Sequence, residues 1–341
     1  MTTSDESALR AIARYGLPGN TVAEIEVDER LFVDLIEQRL MPLTAAALID
    51  GSARATKEQT EAIHVRWREE LLASVVLEAQ LIDIADLFDE QGIRWLVTKG
   101  SALAHLDYPE PSMRTFGDID VVVHSEDWLL TIGCLTRAGL TRPSAAYGDR
   151  FDASFGKGAT FTTASGLEVD LHLRFAVGRF GVTARMEEVF EHPSSFHLGG
   201  RSVPALSPEH RLIHACYHAV LGGFPSLRSF RDIAQLLSAS HVDWEAAREV
   251  ASRWQAMTVL ASALKMTDIF LELEVDHPAL RWAADFRVPR CDRRTLAVFS
   301  SQRSYRRQVL TTTRTLRPSQ WVPFFAPLLA HRLALRVGPK P

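Results

Sequence analysis

The chain has 341 residues, 46% of them hydrophobic and 23% charged, a composition that fits a folded globular protein and excludes a disordered or collagen-like one. Cys134, Cys216 and Cys291 are odd in number and form no CxxC, which argues against a disulfide framework or zinc ribbon and for a reducing, cytoplasmic setting. From Arg287 onward twelve Lys and Arg face one acid, Asp292, so the net charge of −4 divides into a tail of +11 and a body of −15.

Residues 1–92 read as a helical region. Leu77, Leu81, Ile84 and Phe88 recur at helical spacing, and Gly92 stands where the helix must stop. The period then changes. Residues 93–98 and 118–123 read as strands, and Ser125 caps a helix that runs to about Gly139. Residues 159–164 and 167–175, separated by Ser165-Gly166, read as a hairpin, so residues 93–205 form a small mixed-sheet α+β domain. Helices return after Pro204, starting at Ser207-Pro208-Glu209 and continuing over about 227–239, 244–255 (capped by Asp243) and 256–273, so residues 206–341 form a helical region with a basic tail. The N-terminus lacks a basic segment followed by an apolar one, and no run of about 18 uncharged apolar residues occurs, so neither a secretory signal nor a spanning helix is expected.

The chemistry concentrates in Asp118-Ile119-Asp120. Strand residues two apart share a face, so both carboxylates emerge together while Ile119 and Val121 face the other side. Adjacent anions repel, and a divalent cation with a taste for oxygen, Mg²⁺ or Mn²⁺, removes the penalty. Upstream, Lys99-Gly100-Ser101 leaves a strand and enters a short helix, where backbone N–H groups and the Ser101 hydroxyl are placed to meet a phosphate. Downstream, Glu168, Asp170 and His172 alternate on one strand face and supply a third carboxylate.

Residues 97–123, VTKGSALAHLDYPEPSMRTFGDIDVVV, together with 168–172, EVDLH, resemble the active-site signature of the DNA polymerase β-like nucleotidyltransferase superfamily. More narrowly they resemble a family of uncharacterised bacterial nucleotidyltransferases whose motif runs lysine-glycine, tyrosine-proline, arginine, Asp-x-Asp and then a valine-acid-x-histidine strand. Residues 212–218, 228–237 and 242–244 also look like the helical portion of that family, which brings the resemblance to about two-thirds of the chain. It implies a palm-like fold in which Asp118, Asp120 and Asp170 bind metal and Gly100 and Ser101 hold a triphosphate. One departure from the wider superfamily is the sixteen-residue gap between Ser101 and Asp118, with Lys99 at a position that is usually hydrophobic there; the narrower family shares the longer spacing.

The expected reaction is attack of an acceptor hydroxyl on the α-phosphorus of an NTP such as ATP, releasing pyrophosphate with two-metal assistance. Lys99 and Arg114 are the candidate cations for the β- and γ-phosphates, and His172 orients the site. The acidic body favours a small molecule or peptide natural product as acceptor; RNA or tRNA, supported by the basic tail, and protein side chains are the alternatives. A non-catalytic nucleotide-binding scaffold of the same fold is the rival from another class. His210, His214 and His218 recur every four residues without an HExxH glutamate, which favours packing or cleft lining over metal binding. The apolar segment 321–336, with two prolines, is expected to bury against the body instead of lying on a membrane.

Overall fold

The computed structural model describes residues 3–19, 25–143, 147–222, 226–239, 242–300 and 305–337. The chain begins with α1 (Thr3–Ala13), β1 (Ile25–Val27), α2 (Glu29–Glu37), α3 (Met41–Ile49) and β2 (Ala53–Ala55). The parallel pairing of β1 with β2 is a departure from the all-helical expectation for this region: each strand is only three residues long, too short for a period-2 pattern to register. Helix α4 (Lys57–Glu90) opens on a reciprocal cap, Thr56 Oγ1 accepting from Gln59 N–H and Gln59 Oε1 accepting from Thr56 N–H. Its apolar stripe of Leu77, Leu81, Ile84 and Phe88 is buried as the spacing predicts, and Gly92 follows with φ +65°.

Next come β3 (Trp95–Val97), α5 (Ser101–Leu106), β4 (Ile119–Val123), α6 (Trp128–Arg137), α7 (Asp149–Phe155), β5 (Gly158–Thr162), β6 (Glu168–His172) and α8 (Gly178–Thr183), then β7 (Ser194–Leu198) and β8 (Arg201–Ala205). Six of these strands form one mixed sheet in the order β5-β6-β4-β3-β8-β7. The β7–β8 hairpin extends the expected sheet. Its signal was Gly199-Gly200, both at positive φ, between runs in which Phe196, Leu198, Val203 and Ala205 alternate inward.

Alternation along the strands divides two cores. Ile119, Val121 and Val123 of β4, with Val169 and Leu171 of β6, pack against α4 and α6. Leu96 and Val122, on the opposite face, join a larger core that also contains α1–α3 and the helices that follow the sheet: α9 (Pro208–Leu221), α10 (Leu227–Ala239), α11 (Trp244–Arg253) and α12 (Met257–Leu271). The caps expected at Ser207 and Asp243 are present, each accepting from the backbone N–H three residues on. Helices α13 (Pro278–Asp285), α14 (Arg290–Ser300), α15 (Tyr305–Leu310) and α16 (Trp321–Val337) complete the fold. In α16, Phe324 and Leu328 are buried, Phe324 against Phe151 and Phe155, while Trp321 and Val322 are exposed. Among the described residues no helix is long and apolar enough to cross a membrane.

Of the three histidines of α9, His210 stacks on Trp254 with ring centroids 5.5 Å apart and buries Nε2 without a hydrogen-bond partner. Burial pulls its pKa down to about 4. A histidine with a depressed folded-state pKa is stabilising while neutral, and that stability is lost as pH falls from the unfolded value near 6.5 toward 4. His210→Phe is therefore expected to shrink the difference in unfolding free energy between pH 7 and pH 4.5 by about 2 kcal/mol, measured by urea titration at both pH values.

Candidate active site

Strands β4 and β6 are parallel neighbours, and their register sets Asp120 directly opposite Asp170 and Val122 opposite His172. Because side chains alternate, Asp120, Asp170 and His172 all leave the sheet on the face turned toward α9. Their ligand-type atoms lie within 4.8 Å of one another. Asp118, one residue before β4, stands beside this group: its carboxylate is 3.2 Å from Lys99 Nζ, which is also 3.0 Å from Asp120 Oδ2.

The electrostatics follow from this crowding. Burial and the neighbouring Asp120 charge raise the Asp118 pKa, Lys99 offsetting part of the effect, with Asp170 adding a smaller push in the same direction. For Asp120, burial alone would raise the pKa, but Lys99 and the hydrogen bond from His172 together hold it well below the usual carboxylate range. Burial would lower the Lys99 pKa, yet Asp120 and Asp118 more than compensate and keep the ammonium charged. His172 is shifted downward by burial and then by Lys157, so its imidazole is neutral at pH 7. The tautomer carrying hydrogen on Nε2 donates to Asp120 Oδ1 at 2.9 Å and fixes that carboxylate. Asp120 Oδ2 is left buried with no hydrogen bond, in contact with the charge of Lys99. Asp170 is held by Thr160, whose hydroxyl donates to Oδ1 at 2.5 Å. A buried, under-coordinated carboxylate oxygen beside a second carboxylate is a donor set that fits a hard divalent cation.

The remaining sequence candidates are drawn elsewhere. Gly100 adopts φ +59°, and the ring of Phe116 packs where a Cβ would lie 3.3 Å away, so the residue shapes the turn behind the site. Ser101 is buried and donates its hydroxyl to Glu78 Oε1 at 2.8 Å, an oxygen that His105 also approaches at 2.8 Å. Arg114 is buried in a bidentate pair with Asp232 of α10, both bonds 2.9 Å, and Tyr108 donates to the same carboxylate. Arg211 of α9 makes the matching pair with Asp107 at 2.8 and 2.9 Å. These two clamps fasten residues 107–114 to the helical layer. As placed, then, neither the Ser101 hydroxyl nor the Arg114 guanidinium is free for a phosphate.

A cavity of about 190 Å³ opens beside the acids. Lys99, His172 and Lys157 line it from the sheet side, His214 and His218 from α9, Phe299 from α14, and Tyr305 and Gln308 from α15. The histidines of α9 thus divide between core packing, His210, and cleft lining, His214 and His218. Lys157 was not among the sequence candidates. Its available signal was the local pattern Gly156-Lys157-Gly158, in which a basic side chain sits between two residues that allow close backbone packing. Burial pushes its pKa below the ordinary lysine range, with Asp120 offsetting part of the shift.

A family described as uncharacterised nucleotidyltransferase matches residues 26–272, a span that holds every strand of the six-stranded sheet and helices α9 to α12 entire. Among solved structures, an antigenic nucleotidyltransferase-like protein from Paracoccidioides brasiliensis is similar at 15% identity and a TM-score of 0.36, covering 61% of this chain and 95% of its own. No curated protein matches the chain. With the family match running over well more than half of its length, the chain belongs to the uncharacterised nucleotidyltransferase family.

Proposed function

We propose that the protein is a divalent-metal-dependent enzyme of the polymerase β-like type, moving a nucleoside monophosphate from an NTP to an acceptor hydroxyl and releasing pyrophosphate. The observation that carries this reading is the register of β4 on β6, which sets Asp120 opposite Asp170 on one face with Asp118 alongside. Asp118, Asp120 and Asp170 would hold Mg²⁺ or Mn²⁺. Once bound, the metal supplies Lewis-acid polarisation of the phosphoryl oxygens and lowers the acceptor hydroxyl's pKa.

The chain's own groups do the rest. His172 fixes the orientation of Asp120, and Thr160 that of Asp170, so neither carboxylate must reorganise during transfer. Lys99 bridges the two acids of the Asp-x-Asp pair in the resting protein and offsets part of their charge. The body charge of −15 disfavours a polyanionic acceptor and supports a small molecule or peptide. The test is calorimetric titration with each of the four NTPs in Mg²⁺ or Mn²⁺, followed by measurement of pyrophosphate release and self-labelling from the α-labelled nucleotide. Metal-dependent binding of at least one NTP is expected. Absence of binding for all four with either ion rejects the reading.

A further inference from the structure

Most buried cations in this protein have a partner: Arg114 has Asp232, Arg211 has Asp107, and Lys99 has Asp118 and Asp120. Lys157 does not. Among the described residues its ammonium makes no hydrogen bond or ion pair and Asp120 acts on it only at longer range, although it lines the cavity beside the acids together with Lys99 and His172. An unpaired ammonium half-withdrawn from water is costly, and folded chains seldom keep one without an anion to receive.

The backbone around Lys157 is built to hold it there. The Lys157 carbonyl accepts from two successive amides, Leu173 N at 2.7 Å and Arg174 N at 3.0 Å. At Gly158 a Cβ would lie 1.9 Å from the Leu171 carbonyl oxygen, and at Gly156 it would lie 2.8 Å from Asp152 Cα, so neither flanking position admits a side chain. Two glycines and a doubly used carbonyl therefore lock the start of β5 against the end of β6, next to His172. The opposite wall comes from Phe299, Tyr305 and Gln308, which lie beyond residues 26–272, the stretch matched by the family. At about 190 Å³ the cavity is smaller than the roughly 300–1,000 Å³ that encloses a whole drug-sized ligand, so it takes a fragment of a substrate.

We propose that this cavity is the seat of the nucleotide's polyphosphate, with Lys157 as the phosphate-binding cation and the α15 segment, through Gln308, as its outer wall. The inference rests on the nucleotidyltransferase reading for the source of the phosphate. Ser101 and Arg114 are committed to Glu78 and Asp232, and Lys157 supplies the positive charge they do not.

The experiment titrates the full-length chain with NTP, the corresponding NMP and inorganic pyrophosphate in the presence of Mg²⁺. Lys157→Gln is expected to weaken NTP and pyrophosphate by about 10–100-fold, NMP by less than about 3-fold, and Lys157→Arg to recover most of the loss. Gln308→Ala is expected to weaken pyrophosphate by a smaller factor. Because Lys157 has no hydrogen bond or ion pair to lose, and the cost of burying its charge outweighs the attraction of Asp120, the thermal midpoint of Lys157→Gln should stay level or rise, which separates ligand binding from a structural role. Wild-type affinity for both NTP and pyrophosphate in Lys157→Gln overturns the proposal, as does an equal loss for NMP. Pyrophosphate binding that depends on Lys157 in a protein that binds no NTP keeps the oxyanion site and removes the nucleotidyltransferase reading instead. A wild-type protein that binds neither overturns both.

Discussion

Asp170→Asn is expected to reduce nucleotidyl transfer by about 10²-fold or more while leaving the fold intact. The carboxylate contributes charge to the site but little to the scaffold: it is half-exposed, and its one side-chain bond is the one accepted from Thr160. Asparagine retains an oxygen able to accept that bond, so only the negative charge is lost. Removing a charge beside Asp118 and Asp120 also relieves repulsion, so the thermal midpoint should not fall. Asp120→Asn makes the instructive contrast. There the charge is buried and shared between Lys99 and His172, so activity and stability are expected to drop together. Pyrophosphate release and thermal unfolding, measured on both variants, check the pair of outcomes; an Asp170→Asn protein with wild-type turnover would remove Asp170 from the reaction.

The largest stability effect is expected at Asp232. Substitution by alanine leaves the buried Arg114 guanidinium with a single carbonyl, Thr115 O, and leaves the Tyr108 hydroxyl without its acceptor. Breaking one side of such a pair typically costs about 3–5 kcal/mol, mostly because the surviving charge stays out of water. The double variant Asp232→Leu, Arg114→Met removes both charges and should recover much of the loss. Equilibrium unfolding in denaturant for Asp232→Leu, Arg114→Met and the double variant measures the coupling. If the losses simply add, the pair is not the clamp its geometry indicates.

Much of the architecture could be read from the sequence because it is periodic. The stripe ending in Phe88, the alternation through Asp118 to Val123, and the caps at Ser207 and Asp243 each follow from local spacing. The strand faces that carry Asp120 and Asp170 were each readable from alternation, and the family resemblance implied their meeting; the register that sets them opposite one another comes from the sheet. What escaped was long-range pairing. Nothing near Arg114 announces Asp232, 118 residues away, and a nearby acid such as Glu110 is the obvious local partner. Ser101 likewise looks free in its own segment, and only tertiary packing brings Glu78 to it. Lys157 was overlooked for the complementary reason: an unpaired cation is visible only once every neighbour has been placed.

Helix α4 has a consequence for how the site tolerates change. Trp67, Glu70, Ser74 and Glu78, spaced three, four and four apart, reach from one side of it to Ser112 O, the Thr115 hydroxyl, the Phe116 backbone, and Ser101 with His105. The rotational phase of a helix that contributes no acid to the cluster thereby sets the position of the strand that does. Adding or deleting a single residue near its middle would turn this stripe by about 100° and withdraw some of those tethers at once. Length variation should therefore be borne by the exposed loops and not by α4, whose residue count is as constrained as the identity of any carboxylate.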